Sequence, residues 1–221
     1  MIKKILIGLG IVVVIAGATI GVLYFTKRSH QPQQTPVDNT PASESVFNLS
    51  KDYGACRILE TPAIKTALGN AAVNLQAPKN MGIVEDKYVG EGVDDVTSDS
   101  QICIYAFEPG GTTENAFNSG NAFMIQKTIY TNESGPDLLV NQIKEQQKVD
   151  SSITSVDDLG DAAFYNANNT STGPGATYNF SLQIFTDKTS VTYTIRQSAE
   201  KTTFTTETGK TALLQLAQLA K

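Results

Sequence analysis

Histidine is almost missing from this chain of 221 residues, and the one present, His30, lies ahead of the part that can fold. A domain without imidazole has no Ser-His-Asp or Cys-His arrangement and no histidine ligands for zinc. Hydrolases can also run on carboxylates or lysine, so this absence disfavours an enzyme without ruling one out. Tryptophan is absent altogether. That removes the usual aromatic sugar platform from any carboxylate-based hydrolase acting on envelope glycan, the enzymatic alternative to a binding module. Cysteine is scarce. No cysteine precedes Cys56, so no lipoprotein signal is present. Cys56 and Cys103 have neither a CxxC spacing nor a flanking basic cluster, Arg57 being the one basic neighbour. In an exported domain the default for two cysteines is one disulfide, against two buried free thiols or a reactive pair in a cytosolic one.

Charge is missing from Ile5 to Phe25, a run fenced by Lys3 and Lys4 on one side and by Lys27 and Arg28 on the other. A helix over this run rises roughly 30 Å, the thickness of a bilayer's hydrocarbon core. The expectation is an uncleaved N-terminal signal-anchor over residues 1–28. The rival is a signal peptide cut after Ala18, at the small-x-small site Ala16-Gly17-Ala18. Against cleavage, the apolar run continues beyond that site to Phe25 and stops only at a basic pair. The flanking positive charges balance, so orientation rests on the cysteines, whose disulfide puts the C-terminal domain outside the cytoplasm. Gly17 and Gly21 give a small-xxx-small spacing that could pair two anchors, although a single-pass anchor is the simpler reading.

Residues 29–45 are polar, with Pro32, Pro36 and Pro41, and read as an extended, disordered spacer. The remaining residues, 46–221, are enough for one domain of ordinary size with a core of its own. Four of the 17 basic residues flank the apolar run while all 22 acidic residues follow it, so the exterior carries a net charge of −9. Nucleic acid and anionic lipid headgroups are poor partners for such a surface.

Within the domain, Thr61-Pro62 and Gly69 punctuate a helix. Thr61 is placed to cap the free amides, Pro62 suits the first helical position, and Ile64, Ala67 and Leu68 share one face. Residues 70–100 are loosely patterned. Ile102–Phe107 and Ala122–Tyr130 read as strands, and a helix runs from Ser134 through about Lys148 with Leu139 and Ile143 inward. A turn at 156–160 leads into a strand at Ala162–Asn166. Tyr178–Thr186 and Ser190–Arg196 alternate around Asp187-Lys188 as an antiparallel hairpin, and a helix from Thr206 presents Leu213, Leu216, Ala217 and Ala220 on one face. This order implies an α+β domain, an antiparallel sheet packed with helices and preceded by one transmembrane helix.

The order of these pieces carries a resemblance. A short helix follows the first cysteine (Cys56 to Gly69), and a second cysteine sits in a strand (Cys103-Ile-Tyr-Ala-Phe107). Then come Leu159-Gly-Asp-Ala-Ala163, a hairpin and a terminal amphipathic helix. From about Tyr53 to Lys221 the chain resembles the small actinobacterial cell-envelope lipoprotein domains of unknown function, themselves similar to the PsbP-like fold. The resemblance implies an antiparallel sheet between helices, an envelope location and a ligand or partner role, with no catalytic residues to carry over. Two features depart from it. The lipid-bearing cysteine is replaced by the Ile5–Phe25 run, and Tyr105 stands where a tryptophan is common.

Glu85, Asp86, Glu91, Asp94, Asp95 and Asp99 crowd a glycine-containing stretch, with Asp94, Asp95 and Asp99 as calcium candidates. The spacing does not match an EF-hand, and a solvated acidic loop is the favoured reading over a metal site. Asp157, Asp158 and Asp161 around Gly160 read as turn chemistry ahead of a catalytic pair. Gly173-Pro174-Gly175 marks a loop. No cofactor is expected. The sequence thus implies a membrane-tethered, extracytoplasmic binding module whose partner is a small apolar or peptide-like ligand or another envelope protein.

Overall fold

The computed structural model describes residues 51–88, 96–109, 116, 118–131, 135–169, 176–201 and 203–220. Helices α1 (Thr61–Leu68), α2 (Gly135–Gln147) and α3 (Thr206–Leu219) accompany seven strands. These are β1 (Lys79–Tyr88), β2 (Val96–Ala106), β3 (Asn121–Tyr130), β4 (Ile153–Ser155), β5 (Ala162–Asn169), β6 (Thr177–Thr186) and β7 (Thr189–Ser198). All pair antiparallel in one sheet of order β1-β2-β3-β7-β6-β5-β4. Two meanders, β1–β3 and β4–β7, therefore meet at the β3–β7 seam, and α2 carries the chain from the middle of the sheet to its far edge. This is the α+β class expected from the order of elements.

Alternation along the strands divides the sheet into two faces. Cys103 and Tyr105 of β2, Phe123 and Ile125 of β3, Tyr193 and Ile195 of β7, and Phe180 and Leu182 of β6 point to one side. There they pack with Ile64 and Leu68 of α1 and Leu213, Leu216 and Ala217 of α3. Tyr105, Phe123 and Tyr193 form an aromatic row across three strands, with centroids 5.7 and 6.5 Å apart. α3 lies close to the sheet because position 209 is glycine: a Cβ there would stand 2.8 Å from Cγ of Phe180. On the opposite face α2 sets Ile143 against a smaller cluster of Tyr130, Ile153, Phe164 and Phe185.

The helix expected after Thr61 is present, but Thr61 is not its cap. Glu60 occupies the N-cap position without a side-chain bond, and Thr61 is the first helical residue. Pro62 fits there because the first-turn amides have no helical acceptor, so its missing N–H is not felt. Gly69 ends the helix at φ +55°, where a side chain would be strained. The reading of 70–100 as loosely patterned is corrected: β1 and the first half of β2 lie within it. β1 shifts register between Asn80 and Ile83, with Gly82 at φ +84°. That bulge breaks the period-two alternation that marks a strand. β5 also runs to Asn169, past the expected end at Asn166.

The Ile5–Phe25 run, the spacer and the start of the domain lie outside the described residues, and no helix among the described residues is long and apolar enough to cross a membrane.

Candidate functional site

Cys56 and Cys103 form the expected disulfide, with Cα atoms 5.2 Å apart. It is one of several links that fasten the segment entering the domain to β2. Tyr53 donates its hydroxyl to Asp99 Oδ2 at 2.5 Å, and Lys51 Nζ lies 3.5 Å from both Asp99 and Glu85. Gln101, wholly buried, accepts the backbone N–H groups of Tyr53 and Ala55 at 2.9 and 3.0 Å and donates to Asp52 Oδ1 at 3.0 Å. Asp99, Gln101 and Cys103 are alternate residues of β2, so one face of the strand grips successive points of the entering chain. The N–H of Gly54, then Gln101 and Arg57, hold the Asp52 carboxyl down to about 2. Hydrogen bonding to Asp99 raises the Tyr53 phenol, and attraction to Asp99 raises the Lys51 ammonium.

Of the calcium candidates, Asp94 and Asp95 lie outside the described residues, and Asp99 is engaged by Tyr53 and Lys51. Among the described residues no three acidic, cysteine or histidine side chains converge in a way that could hold a metal ion. Around Gly160 the carboxylates serve turns. Asp161 accepts the backbone N–H of Asp187 at 2.6 Å, which ties the β6–β7 turn to the start of β5. Asp158 and Asp187 take positive φ in those tight loops. Gly173-Pro174-Gly175 lies outside the described residues.

At the other end of β2 a groove opens that the sequence does not announce. Phe204 forms part of its lining. The Gln197 side chain holds that residue's backbone in both directions, donating to its carbonyl at 2.6 Å and accepting its N–H at 3.0 Å. α3 then starts from Thr205, whose side chain and backbone exchange bonds with Thr208 in a capping box. A cavity of about 240 Å³ lies between the turn after α1, the ends of β2 and β7, and Phe204. It continues, through Asn70, Ala71, Thr203 and Phe204, into a more open groove of about 410 Å³ between α1 and α3. Ala67, Leu68, Ala71, Phe204 and Ala212 make the lining apolar, while Asn70, Asn74, Asn121, Thr203 and Gln215 supply amides and a hydroxyl. The described lining contains one carboxylate, Glu108, and Lys201 bonds it at 3.1 Å while also reaching Asn121 at 3.1 Å.

Such a surface can hold an amphipathic chain: amides to match backbone or acetamido groups, and an apolar lining to bury carbon. It has no pair of carboxylates to divide acid and base roles. The signal for it was present in the sequence only as Lys201–Thr205, a polar link with one aromatic between a hairpin and a helix. The chain was compared with family models, with curated proteins and with solved structures, and it matches none of them.

Proposed function

We propose that this domain is a non-enzymatic binding module of the cell envelope, that Ile5–Phe25 tethers it to the membrane as a single-pass anchor, and that the groove beside Phe204 receives a peptide-like ligand or a segment of another envelope protein. The observation that carries this reading is the groove lining: apolar carbon and amide side chains, with a single, ion-paired carboxylate among its described residues. The disulfide supports an oxidising compartment and hence an exported domain. A seven-stranded antiparallel sheet with helices on both faces is compatible with the PsbP-like sandwich that the sequence resembles.

The placement of the two ends of β2 adds to the reading. The chain enters the domain beside Asp99, and the groove begins at Phe107, roughly 26 Å further along the strand at 3.3 Å per residue. The groove therefore opens away from the point where the described chain enters the domain, which leaves it unobstructed by that segment. The carboxylate-based hydrolase is the weaker reading, since Glu108 stands alone in the described groove.

In-cell crosslinking of the tagged full-length chain, read by mass spectrometry, tests this function. The expected result is a recurrent envelope partner that is lost when Ala71→Trp fills the groove. Equal capture by wild type and A71W would refute the groove, and two free thiols in natively isolated protein would refute the compartment.

A further inference from the structure

Toward the end of the sheet where the chain enters, the core face keeps a strip of partly exposed apolar side chains. One register level there joins Glu85 of β1, Asp99 of β2, Ile129 of β3 and Thr189 of β7. The next level inward joins Gln101, Lys127, Val191 and Ile184. These residues share the face of Phe123 and Ile125, because side chains alternate along each strand. Ile129 is only partly buried and belongs to none of the three apolar clusters of the described residues. Val191 and Ile184 pack against the rim of the main core and are also only partly buried. Lys127 is the only charged residue that β3, β6 and β7 carry on this face.

Both ends of the strip are bounded. On the β2 side stands Asp99, engaged by Tyr53 and Lys51 of the entering chain. On the β6 side lies the turn at Gly160, where an added Cβ would stand 2.9 Å from Ile184 Cγ2. Adjacent strands lie roughly 4.8 Å apart, so the strip from β2 to β6 is roughly 14 Å long.

The chain ahead of Lys51 supplies a piece that matches it. Val46-Phe47-Asn48-Leu49-Ser50 lies outside the described residues, carries no charge, and sets Phe47 and Leu49 two apart. Residues 29–45 contain a single large apolar side chain, Val37. Lys51 and Tyr53 are alternate residues that both turn to Asp99, so an extended continuation brings Leu49 and Phe47 to the same side. Alternate residues advance roughly 6.6 Å along an extended chain, and two such steps cover roughly 13 Å, the length of the strip.

We propose that Val46–Ser50 docks on this strip, crossing the sheet from β2 toward β6 with Leu49 on Ile129 and Phe47 on Val191 and Ile184. The fold then begins at Val46, and the polar spacer ends at Ser45. The entering chain is fastened by apolar contact at Leu49, by charge at Lys51 and by a covalent bond at Cys56. A second copy of the chain is the rival occupant. It would bring a net-negative exterior against a strip flanked by Asp99 and Glu85, whereas Val46–Ser50 is uncharged and already within reach. The proposal uses neither the groove beside Phe204 nor the membrane anchor and is independent of both.

The test is limited chymotrypsin digestion of the full-length chain under native conditions, beside the variant Ile129→Thr/Val191→Thr, with the cut after Phe47 followed by mass spectrometry. Threonine keeps the strand preference of a β-branched residue, so the sheet survives while the strip loses apolar surface. Cleavage tracks the population in which the segment is off the sheet, so the variant should be cut after Phe47 at least about tenfold faster than the wild type. Cuts within β6 and β7 should stay equally slow in both. If the double variant fails to fold, I129T alone decides, since Ile129 lies outside the core clusters. Equal rates after Phe47 in wild type and variant would show that the segment does not rest on the strip. A wild-type dimer that the variant turns into a monomer, with cleavage unchanged, would seat a second copy there. Either result overturns the proposal.

Discussion

The amide oxygen of Gln101 holds Tyr53: wholly buried in β2, it accepts the backbone N–H of that residue at 2.9 Å and that of Ala55 at 3.0 Å. It is enclosed where the segment's own bonded side chains Asp52 and Arg57 are exposed. Removing the acceptor leaves amide donors without a partner beside the core. Gln101→Leu should lower the unfolding free energy by about 2–4 kcal/mol, read from the urea midpoint at unchanged m-value. A loss below about 0.5 kcal/mol would mean that water replaces the glutamine.

The disulfide two residues along β2 acts on the same segment from the unfolded side. It joins positions 47 apart in the chain, and closing such a loop stabilises the fold by at most about 4 kcal/mol in the chain-entropy model. Cys56→Ser/Cys103→Ser should therefore destabilise by about 2–4 kcal/mol. Because both sets of bonds secure one segment, their effects should not add. The variant combining both changes should lose less than the sum by at least about 0.5 kcal/mol in a double-mutant cycle. Strict additivity would show that the segment is not fastened as one unit.

The elements that could be read from the sequence are those whose pattern serves a single purpose. The β6–β7 hairpin alternates because one face lies on the core, and α3 repeats Leu213, Leu216 and Ala217 for the same reason. β1 escaped because the bulge at Asn80–Ile83 interrupts its period, and β4 because three residues carry no period. The first half of β2 escaped for a functional reason. Asp99 and Gln101 occupy the face that apolar residues take further along, because that face grips the entering chain instead of joining the apolar core. A buried glutamine that bonds backbone 46 positions away has no local signature. The groove beside Phe204 was illegible on the same grounds, being made by residues from the turn after α1, β2, β3, β7 and α3.

Two glycines separate steric from conformational cost. At Gly69 nothing lies within 4 Å of an added Cβ, but φ is +55°, so Gly69→Ala should cost about 1 kcal/mol through backbone strain alone. Gly209 sits in α3, where alanine would gain about 1 kcal/mol in helix propensity. Its Cβ would, however, stand 2.8 Å from the ring of Phe180, and overpacking of a core typically costs about 1–3 kcal/mol. The clash should win, giving a net loss for G209A that Phe180→Leu relieves. A more stable G209A would show that α3 can shift outward freely.

Stability should respond to pH at both ends and through different groups. The Asp52 carboxyl is held near 2 in the fold, against 3.8 unperturbed, by the N–H of Gly54, Gln101 and Arg57. A depressed carboxyl stabilises above its unfolded value, and this contribution fades as pH falls from about 4 to about 2. Burial pushes the phenols of Tyr130 and Tyr165 up to about 12, from 10.0. A raised phenol stabilises fully below its unfolded value, so their contribution fades as pH rises from about 10 to about 12. Urea midpoints should therefore be insensitive to these three groups between pH 5 and 9 and fall on either side. Asp52→Asn should flatten the acid limb only, and Tyr130→Phe should flatten part of the alkaline limb only. An acid limb that persists unchanged in D52N would assign the acid sensitivity to other carboxylates and remove Asp52 from the fastening of the entering chain.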